Sequence, residues 1–307
     1  MPLVPFAELM EAAEAGSYAV GYFESWNLES LLAVADAAVA TSSPVIVGYS
    51  GISLPRTEQM QIDRLRLYAS VAVELCRGLP VPACTLFNES PYMDWVLEAS
   101  KAGFSVVMYS DEEMPYEEQR TRVRALVREV HQLNVAVEAE PFSVPGVSGS
   151  LSDIPSELRM TEPDLAVEFV DFTGVDALAI NIGQAHLHGR RHVQLDLDRL
   201  ARVRQQVRVP LVLHGATSID PEHLSSAVRL GIRKVNVGSA LKRIYFETLR
   251  ATSGRIEVDY NPYEVVGSGG KLDVLGTARN AMKQMVAEWM LLLGSAGKAD
   301  ICKVETV

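Results

Sequence analysis

Cysteine is scarce. Cys76, Cys84 and Cys302 are the three in 307 residues, odd in number and scattered, which excludes a disulfide framework and matches no zinc-knot spacing. They suggest a reducing compartment, so a cytoplasmic address is expected, with Cys76 and Cys84 as small buried hydrophobes. Long apolar runs are also missing. No stretch of about 18 apolar residues is present, so no transmembrane helix is expected. The opening MPLVPFAELMEAAEAGSYAV carries acids where a signal peptide has a basic start. Positive charge is in deficit. A net charge of −11 disfavours nucleic acid and anionic membrane surfaces as partners, since both attract basic patches. Arg190-Arg191-His192 is too short for a nucleic-acid face and suits an anion contact or a solvated loop equally. No G-x-G-x-x-G turn follows the first predicted strand, which argues against an open dinucleotide-binding sheet.

What is present is a large apolar content, 48%, enough for a full core, and a regular alternation. Short apolar runs bounded by turn residues predict strands at Tyr18–Phe23, Pro44–Ser50, Val81–Phe87, Ser105–Tyr109, Val135–Glu140, Asp176–Asn181, Pro210–His214 and Lys234–Val237. Helical patterns separate them, among them Asn27–Thr41, Thr57–Arg77, Tyr116–Leu133 and Asp220–Leu230. Eight strand–helix units predict an α/β fold, a closed (β/α)8 TIM barrel forming a single domain over 1–307, with a doubly wound sheet as runner-up. Leu272–Leu293 reads as a long C-terminal helix and the tail from Gly294 as loose. Pro141–Thr161, rich in Ser, Gly and Pro, exceeds ordinary loop lengths and reads as a mobile active-site loop. Gly254–Gly270 is a second irregular region.

In parallel α/β folds, ligands sit at the carboxyl ends of the strands. The stretch Val209–Ser218, VPLVLHGATS, ends its apolar run at His214 and turns through small polar residues. Ala177–Gly183 leads the same way to His186, and Lys234–Ser239 places Asn236 and Ser239 at a strand end. His186 and His214, with Glu89 nearby, would form a two-His, one-carboxylate set suited to zinc, manganese, iron or cobalt; the bland reading is a hydrogen-bonded rim. Glu89 could equally be a base or an ion-pair partner of Arg190 or Arg191. Glu140 and Glu24 read as acid–base residues or as structural hydrogen-bonding carboxylates. His188 and His192 read as loop residues, either of which could replace a missing ligand, and Asp111–Glu113 as a solvated helix start.

Gly16–Gly21, Ser43–Ile46, Val137–Glu140, Thr173–Ala179, Leu211–Gly215, Lys234–Val237 and Gly294–Ala299 together resemble the class II, metal-dependent fructose-bisphosphate and tagatose-bisphosphate aldolases. The resemblance runs in order along nearly the whole chain. It implies a (β/α)8 barrel, a divalent metal (zinc foremost), a sugar or sugar-phosphate substrate and a homodimer or homotetramer. It places metal ligands at Glu89, His186 and His214, where the family has three histidines. Asn88 stands where the family has a proton-shuttling Asp, and an amide does not titrate. Ser110 stands in place of an alternative metal-binding Asp. The stretch Pro145–Gly149 lacks the family's proton-abstracting Glu, and Glu24 replaces a substrate-contacting Asn. Glu140 matches a family carboxylate, and Leu187 replaces a Gly beside the metal histidine. Gly183, Gly215, Thr217, Asn236 and Ser239 match a phosphate site, with Arg190 as its cation and Ser50 as a further substrate contact. The function implied is a divergent aldolase-like lyase: reversible aldol cleavage of a phosphorylated ketose through a metal-stabilised enediolate. Two other readings of the same pocket are a sugar epimerase or isomerase and a non-catalytic sugar-phosphate-binding protein.

Overall fold

The computed structural model describes residues 3–54, 62–146, 155–156, 158–188 and 191–302. Eight parallel strands close into a barrel in chain order: β1 Val20–Ser25, β2 Val45–Ser50, β3 Ala83–Ser90, β4 Val106–Tyr109, β5 Ala136–Ala139, β6 Ala177–Ala179, β7 Leu211–Leu213 and β8 Ile232–Val237. The closing pair, β1 with β8, matches Tyr22 to Asn236. The helices α1 Phe6–Gly16, α2 Leu28–Thr41, α3 Leu65–Gly78, α4 Met93–Ala102, α5 Tyr116–Val130, α6 Pro163–Thr173, α7 Leu197–Gln206, α8 Pro221–Arg229, α9 Ser239–Ser253, α10 Pro262–Val265 and α11 Val274–Leu292 complete it. This is a (β/α)8 TIM barrel.

Alternation along each strand divides the residues between two cores. One set, with Phe23, Val47, Phe87, Val107, Val137 and Val235, faces the helices. The other, with Tyr22, Ile46, Leu86, Val106 and Val212, fills the barrel and is plugged from below by Phe6, Leu9 and Met10 of α1. The interior is not wholly apolar: Glu138, Lys234 and His214 are buried within it.

Local chemistry fixes where the site-forming helices start. Asn27 and Ser30 cap α2 reciprocally, Ser30 N–H donating to Asn27 Oδ1 at 2.8 Å and Asn27 N–H to Ser30 Oγ at 3.0 Å, a device worth about 1 kcal/mol. Asp220 caps α8 by accepting from the Glu222 and His223 amides, with Pro221 at the first helical position.

Several sequence expectations change in detail. The helix expected over Thr57–Arg77 starts at Leu65, after a 3-10 turn at Ile62–Arg64; residues 55–61 lie outside the described set. Strand β3 runs on to Ser90, three residues past the expected end, because its polar tail keeps pairing with β2 and β4. The short helix α10, capped by Asn261, interrupts the second irregular region. The tail after Gly294 is docked as far as it is described. Ser295 is buried and shares a 2.8 Å hydroxyl contact with Ser43, while the Gly297 and Ala299 amides donate to Thr41 and Ser42 carbonyls. Periodicity misses such anchoring because it rests on small polar groups rather than apolar spacing. Described parts of 141–161 carry no helix or strand, and 147–154 and Glu157 lie outside the described residues. Cys76 and Cys84 are buried free thiols, and burial pushes Cys76 up to about 12. Among the described residues no helix is long and apolar enough to cross a membrane.

Candidate active site

The carboxyl ends of the strands open into a cavity that faces solvent at the top of the barrel. Tyr22 and Glu24 come to it from β1, Ser50 from β2, and Asn88 and Glu89 from β3. His186 and His188 come from the loop after β6. His214, Gly215 and Thr217 follow β7, Asn236 lies on β8, and Gly238, Ser239 and Lys242 lead into α9.

Two loops carry the histidines, and they are tied together. The Leu187 amide donates to Ser218 Oγ at 2.9 Å, the His186 amide donates to the Pro145 carbonyl at 2.8 Å, and Val193 bridges Ile219. Gly215 has φ +68°, a left-handed turn that glycine adopts without strain, and it reverses the chain immediately after His214. Glu89 also has a positive φ, +46°, at a register shift between β3 and β4. A non-glycine residue held there stores roughly 1–3 kcal/mol of strain, a pattern concentrated at functional sites.

The surroundings explain what holds Glu89. His214 is 1% exposed and sits between two carboxylates: Nδ1 lies 3.0 Å from Glu89 Oε1 and Nε2 2.8 Å from Glu138 Oε1. Behind it, Lys234 Nζ is 2.8 Å from Glu138 Oε2, and both groups are fully buried. Asn88 Nδ2 donates to Glu89 Oε2 at 2.6 Å. Asn236 donates to Asn88 Oδ1 at 3.1 Å and accepts from Lys234. Burial alone would make each charge costly. For His214 burial pulls downward, but the Glu89 and Glu138 carboxylates outweigh it and raise it to about 10. For Glu89 burial pulls upward, but the His214 charge and hydrogen bond hold it well below the usual carboxylate range. Burial lowers Lys234 despite its Glu138 partner.

His186 differs. Its Nε2 is buried with no hydrogen-bond partner, and burial lowers its pKa to about 4 in spite of Glu89's attraction. It is a neutral imidazole with an uncommitted nitrogen beside the Glu89–His214 pair. Glu140, just beyond β5, accepts from Ser110 Oγ at 2.7 Å, and its Oε2 is buried without a partner. Burial lifts it to about 7, with Glu89's charge adding and the His214 charge opposing.

The structure therefore brings Glu24, Ser50, Asn88, Glu89, His186, His214, Gly215, Thr217, Asn236 and Ser239 around one cavity. Gly183 stands apart from the lining, its N–H donating to Asn181 Oδ1 at 3.0 Å. Glu140 lies deeper, at Ser110 and Ser143. Arg190, expected as the phosphate site's cation, lies outside the described residues. His188 lines the cavity, its Nε2 3.0 Å from the Gly146 carbonyl, while His192 is exposed.

Sequence reading missed Glu138, Lys234 and Lys242. The first two carried a signal. Glu138 and Glu140, like Lys234 and Asn236, are two apart at a strand end, and period-2 spacing sends both members of a pair to one face. Lys242 carried none, since only the closed barrel brings α9 beside β1, where Lys242 Nζ meets Glu24 Oε1 at 2.6 Å.

Known proteins are similar over the same span. A fructose-bisphosphate aldolase from Thermus caldophilus is 29% identical, over 97% of this chain and 100% of its own. The YdjI aldolase from Escherichia coli K12 superposes with a TM-score of 0.77 at 28% identity, over 96% of this chain and 99% of that one. A protein provisionally named a fructose-1,6-biphosphate aldolase from Coccidioides immitis superposes with a TM-score of 0.81 at 28% identity, over 96% and 98%. The family model described as fructose-bisphosphate aldolase class-II matches residues 4–298, and the chain belongs to that family.

Proposed function

We propose that this chain catalyses the reversible aldol cleavage of a phosphorylated ketose in the cavity above β7 and β8, with a divalent cation, zinc foremost, held by His186, His214 and Glu89. Family membership makes the chain an aldehyde-lyase acting on sugar phosphates; the reading of its own site rests on one observation. The Nε2 of His186 is buried without a hydrogen-bond partner, and His186 lines the same cavity as the His214–Glu89 pair.

The donors fit a cation in kind. Among the described residues no group of three His, Cys, Asp or Glu side chains already stands as a metal-holding cluster. Yet His214 Nδ1 and Glu89 Oε1 are 3.0 Å apart, near the roughly 3.3 Å that separates neighbouring donors on a tetrahedral ion with bonds of about 2.0–2.1 Å. His186 is neutral and needs no deprotonation to bind. His214 must give up its Nδ1 proton, so cation uptake releases a proton, and the Glu138 carboxylate at Nε2 keeps the ring oriented. When bound, such an ion polarises a substrate carbonyl as a Lewis acid.

The remaining roles fall to the chain itself. Glu140, lifted to about 7, is suited to taking and returning a proton at neutral pH. Asn88, an amide, orients Glu89 and can donate to a substrate oxygen but cannot shuttle a proton. Gly215, Thr217 and Ser239, at turns preceding α8 and in the first turn of α9, supply backbone and hydroxyl donors suited to one phosphate.

Elemental analysis of tag-free protein purified without chelators tests the cation. About one divalent ion per chain is expected, falling to background in the His186→Ala, His214→Ala double variant. No ion bound after soaking in zinc, manganese and cobalt would remove the cation from the account.

A further inference from the structure

Glu140 is 1% exposed, and a buried acid that takes a proton from a substrate must also pass it on. Its two oxygens differ. Oε2 is buried without a partner, whereas Oε1 accepts from Ser110 Oγ at 2.7 Å. Ser110, itself buried just beyond β4, lies 2.8 Å from Ser143 Oγ. A serine hydroxyl carries one hydrogen. With that hydrogen given to Glu140, Ser110 can only accept from its neighbour, so the contact acquires a direction: Ser143 donates to Ser110, and Ser110 donates to Glu140. Ser143 is half-buried and lines a second, solvent-open cavity with Asp111, Gln119, Phe142 and Arg159. A line of hydroxyls therefore joins the buried carboxylate to water. Gln119 of α5, also buried, holds the geometry. Its Oε1 accepts from the Asp111 amide at 3.2 Å and its Nε2 donates to the Glu140 carbonyl at 3.4 Å, which ties the end of β4 to the end of β5.

We propose that Ser110 and Ser143 form a proton relay linking Glu140 to the water of this second cavity. The relay rests on the reading of Glu140 as the proton carrier and adds how that carrier is reset. Outward, the Glu140 O–H bond breaks as Ser110 Oγ takes the proton, Ser110 passes its own proton to Ser143 Oγ, and Ser143 passes its own to a water molecule. Each hydroxyl gains one proton as it loses another, and the carboxyl becomes a carboxylate. Inward transfer is the reverse. The proton taken from a substrate carbon is thereby exchanged with solvent while the substrate stays in place.

Ser143→Ala removes the outer link and leaves Ser110 on Glu140; Ser143→Thr keeps the hydroxyl. In the cation-reconstituted protein, Ser143→Ala is expected to exchange the hydroxymethyl proton of dihydroxyacetone phosphate with solvent deuterium about tenfold more slowly at saturation. The half-saturating concentration should not change, and Ser143→Thr should recover the parent rate. A second readout needs neither cation nor substrate. At about pH 5, Glu140 holds its proton, since burial lifts it to about 7. After transfer into heavy water at that pH, infrared spectroscopy follows the carboxylic C=O band that Glu140→Gln lacks, and its deuterium shift should slow about tenfold in Ser143→Ala. Thermal melting confirms that the variants fold. A folded Ser143→Ala protein that matches the parent in either rate overturns the relay and leaves Glu140 as the carrier. So does a Ser143→Thr protein as slow as the alanine variant, because the hydroxyl is then not what matters. A parent that exchanges no proton of dihydroxyacetone phosphate overturns the carrier reading and the relay with it.

Discussion

Replacing His214 with alanine costs the chelator-treated protein about 3–5 kcal/mol of stability near pH 6.5 and abolishes turnover by the cation-reconstituted protein. The size of the effect follows from what the ring separates. His214 is buried between Glu89 and Glu138, and removing one member of a buried ionic set leaves uncompensated charge, typically a loss of about 3–5 kcal/mol. Glu138 keeps Lys234 at 2.8 Å; Glu89 keeps the hydrogen bond from the Asn88 amide but loses the charge that holds its pKa down most strongly. Activity falls because the same ring is a proposed cation ligand. The pH dependence has a definite sign. The folded-state pKa of His214 is raised to about 10 from 6.5. Its stabilisation is therefore complete below about 6.5 and is lost as pH rises through 10. The gap between parent and variant in urea unfolding should be widest near pH 6.5 and close progressively toward pH 10. A gap that is small near pH 6.5, or that grows with pH, would contradict the ionic reading of this centre.

Glu140→Gln is the second large effect, with stability and rate moving in opposite directions. As the proposed proton carrier, Glu140 should be worth about 10²–10⁴ in kcat, and its amide replacement cannot titrate. Its folded-state pKa is raised to about 7 from 4.5 because burial disfavours the carboxylate. The cost of ionising it in the folded chain appears as pH rises above 4.5 and is complete above 7. The glutamine variant avoids that cost. It should match the parent below pH 4.5 and exceed it above pH 7, by about 3 kcal/mol for the chelator-treated protein. Steady-state kinetics with urea unfolding at two pH values reads both. A variant with unchanged kcat would remove Glu140 from the chemistry. One that is also destabilised above pH 7 would mark it as a structural carboxylate bound to Ser110.

The architecture was legible from the alternation of short apolar runs with amphipathic segments, because every strand of a closed parallel barrel is buried and reads as a continuous hydrophobic stretch. The rim was legible where a polar residue ends such a stretch, as at His214, His186 and Asn236. What was not legible depends on closure and register. Lys242 lies 218 positions from Glu24; the count of eight strands implies that β8 closes on β1, but no pattern on either side announces which side chains meet across that seam. Lys234 read as part of an apolar strand, although it is fully buried against Glu138. The positive φ of Glu89 falls at the register shift between β3 and β4, a tertiary feature for which glutamate has no local preference. The docked tail rests on serine hydroxyls and backbone amides, which hydrophobic spacing does not record.

The most direct measurement is solvent-deuterium exchange into dihydroxyacetone phosphate, followed by proton NMR with the cation-reconstituted protein. Aldol cleavage of any ketose 1-phosphate between its third and fourth carbons yields this fragment, whatever the other half is, so the assay does not depend on knowing the full substrate. The account predicts exchange of one proton on the hydroxymethyl carbon beside the carbonyl. It also predicts loss of exchange on chelation and in Glu140→Gln, and carbon–carbon bond formation when an aldehyde is added. Exchange without bond formation across a panel of aldehydes would point instead to an epimerase or isomerase, and binding of dihydroxyacetone phosphate with no exchange would contradict a catalytic role for the site.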